Sequence, residues 1–170
     1  MRSSAVRRFL LASLLVLLAV GAHAEAPPEG ALLGRWVLAE QTYQKGGSNL
    51  ARRSPDLHLD VSVDLNLTEV KIWSGRDARS ARPWPAVVAG GTAAQIEVLE
   101  KTVDDKTGKL RTHYLIHPPD EDGLTVDILE VYTLARDAES LNGTVTVKLS
   151  RGDRPRGSYV LHRRFVREPL

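Results

Sequence analysis

From Leu57 to Leu67 the chain alternates strictly, with Leu57, Leu59, Val61, Val63, Leu65 and Leu67 set against His58, Asp60, Ser62, Asp64 and Asn66. A period of two gathers the apolar side chains on one face of an extended strand and is incompatible with a helix. The alternation recurs through most of the chain beyond residue 31, interrupted by Gly, Pro and Asp clusters. It predicts an all-β domain with strands over 32–45, 57–67, 70–74, 94–103, 110–117, 124–134, 144–150 and 158–166. Across Thr68-Glu69 the apolar phase flips from Leu65 and Leu67 to Val70 and Ile72. Either a two-residue hairpin turn or one long bulged strand satisfies that flip. Residues 104–109, 118–123 and 151–157 carry better turn chemistry, and 136–143 is expected to turn around Asn142-Gly143.

Strands joined in sequence by mostly short links suggest an antiparallel up-and-down meander, and closing it into a barrel removes both edges. A half-closed sheet or a sandwich remains open on the same pattern. Alternating strand directions place loops 46–56, 75–93, 118–123 and 151–157 at one end and links 68–69, 104–109 and 136–143 at the other. The two longest loops share one rim, as in a barrel with an open mouth and a plugged base.

The first residues change the picture of where this domain works. Arg2, Arg7 and Arg8 precede an apolar run from Phe9 to Val20, which leads to Ala22-His23-Ala24. This is the pattern of a secretory signal peptide, residues 1–24, with cleavage near Ala24 and a secreted or periplasmic destination. Arg7-Arg8 hints at twin-arginine export, but the greasy run directly after it favours general secretion. The run is shorter than the roughly 20 residues that cross a bilayer. A short leader, 25–31, then precedes one domain, 32–170. Removing three arginines leaves 20 basic against 21 acidic side chains, so the near-neutral mature chain gives no reason to expect a nucleic-acid partner. The absence of cysteine excludes disulfides, thiolate metal sites and cysteine nucleophiles.

Gly34-Arg35-Trp36 stands at the start of the first expected strand, and His162-Arg163-Arg164-Phe165 ends the last. In an exported β-meander this pair of end motifs resembles the lipocalins and the wider calycin superfamily. The resemblance implies an eight-stranded antiparallel lipocalin-like barrel or half-closed sheet. It further implies that Trp36 plugs the closed end with an arginine laid across its ring, a cation–π contact of about 0.5–2 kcal/mol. Arg163, on the more apolar row with Tyr159, Leu161 and Phe165, matches that arginine, with Arg164 as the alternative. The chain departs from lipocalins proper in lacking a Thr-Asp-Tyr motif, a disulfide and a C-terminal helix after 158–166. Avidin-like proteins share the barrel and the glycine–tryptophan start, and Gly47-Ser48-Asn49 faintly resembles their biotin loop.

Two carboxylates fall on apolar rows. Glu100 follows Ile96 and Val98, and Glu130 lies between Ile128 and Tyr132. An inward charge survives only if paired and hydrogen-bonded, which predicts a barrel-closing network of Arg163 with Glu130 that extends towards Glu100 and Tyr132. Spacing argues against metal and hydrolytic chemistry. His113 and His117 are about 13 Å apart on one strand face, as are Asp60 and Asp64, too far for a shared ion or a glycosidase pair. His58 and Asp60 belong to a polar row, and Asp120-Glu121-Asp122-Gly123 supplies fewer oxygens than the six to eight, roughly, that calcium takes. No nucleophile-and-base motif is present, and no catalytic residue, cofactor or metal is expected.

The expected rim gathers Arg52, Arg53, Arg76, Arg79, Arg82, Arg151, Arg154 and Arg156 with Trp84 between Pro83 and Pro85. An anionic headgroup would suit Arg154 and Arg156, and Trp84 could cover a tail. With Phe165 the single phenylalanine after the signal segment, the inward rows of Leu, Val and Ile leave room for a cavity lined by Leu59, Val61, Val63, Val98, Tyr114, Val126 and Tyr159. The sequence thus leads to an exported carrier of a small amphipathic ligand. Its alternatives are a solid β-domain acting as an envelope or protein-interaction module, and an enzyme using the inward carboxylates.

Overall fold

The computed structural model describes residues 28–46, 48–51, 56–64, 67–86 and 94–169. The expected signal peptide, Gly47, Arg52 and Arg53 lie outside the described residues. The strands are β1 (Gly34–Lys45), β2 (Ser48–Ala51), β3 (Leu57–Asp64), β4 (Leu67–Ser74), β5 (Arg82–Pro83), β6 (Gln95–Asp104), β7 (Lys109–His117), β8 (Leu124–Leu134), β9 (Ser140–Arg151) and β10 (Arg154–Arg167). Their order in the sheet is β5-β4-β3-β1-β10-β9-β8-β7-β6, with β2 paired to β1. The pairings are antiparallel. First and last long strands therefore meet, Trp36 opposite Arg167 and Gln44 opposite Val160, and the meander curls into a half-barrel. β5 and β6 end the hydrogen-bonded path. Among the described residues no helix is long and apolar enough to cross a membrane.

Alternation decides which side chains turn in. Trp36 and Leu38 on β1, Leu59 and Val61 on β3, Val70 and Ile72 on β4, Leu110 and Tyr114 on β7 and Phe165 on β10 belong to one buried cluster. At the lower end Leu32, Trp36, Leu110, Leu141 and Phe165 are all 0% exposed. The segment just before β1 folds beneath them: the Gly30 and Leu32 amides donate to the Asp105 carboxylate, and Trp36 Nε1 donates to the Leu32 carbonyl at 3.0 Å. Leu32 thus belongs to the core.

Three expectations about elements need correction. The flip between 57–67 and 70–74 is a hairpin, but the strands are joined three residues earlier, with Asp64 opposite Leu67. That placement pairs all of β3 with β4, whereas a turn at Thr68-Glu69 would leave 57–62 without a partner on that side. Asn142 and Gly143 do not form the turn after β8; they lie inside β9, opposite Thr133 and Tyr132. Gly143 is there because a Cβ at this position would stand 2.0 Å from the Tyr132 ring, so the aromatic ring occupies the side-chain space of its cross-strand neighbour. Finally, two short strands, β2 and β5, add to the eight expected.

Candidate functional site

Base and interior use different arginines. Arg167, rather than Arg163 or Arg164, lies across Trp36, its guanidinium carbon 4.3 Å from the ring centroid. β10 runs to Arg167, so the inward series 159, 161, 163, 165 gains one more member directly opposite Trp36. The Arg167 fork also donates to the carbonyls of Leu33 at 2.7 Å, Ala31 at 2.6 Å and Ala138 at 3.0 Å. It thereby ties the segment before β1 to the β8–β9 turn. Arg164 is exposed.

Arg163 lies higher, inside the sheet, in a polar chain that crosses the core. Glu130 of β8 is 5% exposed. Its Oε1 accepts from Tyr114 OH at 2.6 Å, and its Oε2 accepts from Tyr132 OH at 2.8 Å and Trp84 Nε1 at 3.2 Å. Arg163 Nη1 donates to Tyr132 OH at 3.1 Å, and Nε to Gln41 Oε1 at 2.8 Å. The register explains the convergence: Gln41 pairs with Arg163, Arg163 with Gly143 and Gly143 with Tyr132, a row of inward positions in which glycine leaves room for the ring. Burial raises the pKa of both tyrosines well above the usual phenol range, and the negative field of Glu130 adds to the effect. Both hydroxyls therefore stay protonated and donate. Burial works against the Arg163 charge, but the Tyr132 and Glu130 oxygens together outweigh it and hold the guanidinium proton more tightly than in water.

Glu100 is outside this network. A bulge between Val98 and Glu100 reverses the facing of β6, and Glu100 pairs with Arg111 at 2.9 Å on the outer surface. The same bulge sets Lys101 opposite buried Thr112; Lys101 itself is exposed, with its ammonium 6.0 Å from the Trp84 ring centroid. Desolvation there lowers the Lys101 pKa, and Glu69 partly restores it. Trp84 is not a rim residue. At 1% exposure it is swallowed at the seam between β4 and β6, its amide donating to Val70 O at 2.8 Å and its ring edge-on to Tyr132 at 6.3 Å. Its flanking prolines marked a loop correctly, but an indole in a loop can still serve as core.

The other predicted lining residues separate by height. Leu59 and Val61 are packed in the buried cluster, and Val63, 54% exposed, lies beyond it at the β3–β4 hairpin. Val98, on edge strand β6, is 49% exposed. Tyr114 is buried, whereas Val126 and Tyr159 are partly open, together with Ile96, Ile116, Leu149 and Leu161. Tyr159 meets Tyr43 with ring centroids 5.1 Å apart. These half-buried residues lie towards the end that carries the β7–β8 and β9–β10 turns, above Tyr114, Trp84 and the Glu130–Arg163 chain. At that end Arg154 and Arg156 are exposed, and Arg151 pairs with Glu121 at 2.7 Å. Two open grooves of about 480 and 520 Å³ lie on the outer surface, the first along Thr42, Thr144 and His162, the second along Lys148, Asp153 and Ser158.

The remaining candidates for metal or acid–base chemistry are dispersed. His113 pairs with Asp127 at 2.7 Å, His117 with Glu97 at 3.7 Å and His58 with Asp56 at 2.9 Å, the His58 ring also stacking on Trp73 at 5.0 Å. Among the described residues no group of three or more potential ligands could hold a metal ion. Sequence reasoning missed Arg167, Gln41 and Lys101 beside Trp84. Extending the alternation of 158–166 by one residue finds the first; no sequence signal marks the bulge that sets the last. The chain matches no protein-family model, and no curated protein matches it in sequence.

Proposed function

We propose that this chain is an exported, lipocalin-like binding protein that holds one small amphipathic molecule in the upper half of its half-barrel and catalyses no reaction. The observation that carries the reading is the gradient of burial along one inward-facing surface: wholly excluded from solvent at the base, yet only partly covered at Ile96, Ile116, Val126, Leu149 and Tyr159. Apolar surface left open in a concave site gains free energy from an apolar guest. The polar chain beneath supports binding over turnover, since its carboxylate is already engaged by three donors. Gly34, Trp36 and Arg167 at the sealed end are compatible with the lipocalin plan.

Native mass spectrometry of protein purified from its own host, followed by incubation with C10 to C16 amphiphiles, tests the reading. Bound lipid-sized mass is expected, and Val126→Trp, which adds bulk to the partly covered upper half, should abolish uptake while leaving the fold intact. A clean apo mass that acquires nothing on incubation would overturn it. A second reading, an interaction module, is favoured by edge strand β6, where Val98 and Leu99 are each 49% exposed. Concentration-dependent association abolished by Leu99→Lys, with no ligand uptake, would select it.

A further inference from the structure

We propose that the tip of the β3–β4 hairpin docks this chain on a zwitterionic lipid surface, base towards the bilayer and Val63 and Leu67 sunk in its interface, a reading that rests on export as proposed above and adds a partner to it. The hairpin ends as an unsupported arm. β1 meets β3 from Gly34, opposite Val61, to Val37, opposite His58, and β5 meets β4 at Lys71 and Ile72. Among the described residues, 62–64 and 67–69 therefore have no strand beside them but each other. Three residues past Val61 carry the arm about 10 Å beyond the start of β1. The row that is buried at Leu59 and Val61 continues into Val63, 54% exposed, and Leu67 is 71% exposed. Val63 pairs with Thr68 and Leu67 with Asp64, so the two apolar side chains lie on opposite faces of the hairpin, with Leu65 between them in the sequence. A protein groove covers one face of such an arm, whereas the interface of a bilayer surrounds the tip and takes up both.

Topology brings the apolar N-terminal run to the same end. The segment before β1 is bound at the base, its Gly30 and Leu32 amides on Asp105 of the β6–β7 turn, and the run from Phe9 to Val20 ends eight residues before Pro28. Fully extended, that link spans about 28 Å. While an export segment occupies the membrane, the base and its arm are thus held within reach of the same surface, and tethering populates a contact that is weak by itself. Ala31, Leu33 and Ala138, gathered by the Arg167 fork and partly buried, widen the apolar underside. Charge selects the class of lipid. Between Asp60 and Val70 the chain carries Asp60, Asp64 and Glu69 and no basic residue, the reverse of the polybasic segments that anionic headgroups attract. Docked in this way, the open end of the half-barrel faces away from the bilayer.

Flotation with phosphatidylcholine vesicles tests the docking on protein exported by its own host, with intact mass establishing whether residues 1–24 have been removed. Vesicle binding that is the same at low and high salt is expected. Val63→Asp with Leu67→Asp should weaken it about tenfold or more, with near-UV circular dichroism unchanged because both side chains are exposed. Val126→Trp and Leu99→Lys should leave it as it is, so loss of ligand uptake or of the β6 contact is told apart from loss of docking. Because the chain has no cysteine, Leu67→Cys and Arg156→Cys each accept a single environment-sensitive fluorophore. On vesicles the label at 67 should shift to the blue and the label at 156, at the opposite end, should not. Where the mass shows residues 1–24 retained, the label at 67 decides alone. Failure of the processed protein to float, undiminished binding by the double aspartate variant, binding to anionic vesicles alone that salt abolishes, or a label at 67 that does not move would each overturn the docking while leaving the ligand site untouched.

Discussion

A buried phenol beside a carboxylate resists ionisation, and Tyr114 and Tyr132 are two of only four tyrosines. Because their folded-state pKa values lie above the unfolded value, the stability they contribute is complete below about pH 10 and is lost as pH rises beyond it. With both groups coupled to folding, unfolding free energy should fall by about 2.7 kcal/mol per pH unit once the unfolded chain ionises. Absorbance at 295 nm should then show both tyrosinates appearing together with loss of near-UV ellipticity; smooth titration of all four tyrosines in the folded protein would contradict the buried network. At the base, Arg167→Ala removes the cation over Trp36 and leaves the carbonyls of Ala31, Leu33 and Ala138 without their donor. A loss of about 2–4 kcal/mol in urea unfolding is expected, and Arg167→Lys should recover only part of it because an ammonium cannot reproduce the fork.

At the scale of elements, Gly143 carries a constraint that belongs to β9 and β8 together. Its backbone is ordinary strand, so Gly143→Ala would be harmless were Tyr132 not 2.0 Å from the new methyl. The collision should cost about 1–3 kcal/mol. A double-mutant cycle with Tyr132→Leu should show strong favourable coupling, and independent effects would refute the shared space. β6 is the weakest long strand by construction, bulged at Val98/Glu100 and paired only with β7 in the described residues. Its amides should exchange with deuterium well ahead of those of β9, which is hydrogen-bonded on both sides. Much of this scale was legible beforehand. Strict alternation located the long strands because side-chain parity is local, whereas the β3–β4 turn came three residues early and the β6 bulge went unseen. A bulge is chosen by how a strand fits its partner, and no residue within 95–104 announces it.

The whole molecule is a half-barrel sealed below and open above, and the seal depends on chain that is far away in sequence. Asp105 of the β6–β7 turn caps the Gly30 and Leu32 amides, and Leu32 fills the base. Asp105→Ala should therefore lower unfolding free energy by about 1–3 kcal/mol and raise proteolytic nicking ahead of Gly34, read by intact mass after limited digestion. Unchanged resistance would mean that the segment docks without its cap. For the candidate site, the sequence singled out Glu130, Arg163 and Tyr132 as partners because an inward charge in an apolar row demands them. Trp84 and Glu100 were misplaced because burial of a loop indole and the facing of a strand beyond a bulge depend on the closed sheet.

Composition and period by themselves determined an all-β meander without cysteine, the residues that alternate inward along most strands and the need for a buried partner to Glu130, since each follows from local geometry or from the solvation of one group. Only the tertiary structure decided which arginine covers Trp36, that Trp84 closes the seam and that Arg163 bonds to Gln41 and Tyr132. Those outcomes depend on strand ends, one bulge and the curvature that brings β1 against β10, distances set between segments more than a hundred residues apart, to which the spacing of residues along the chain is blind.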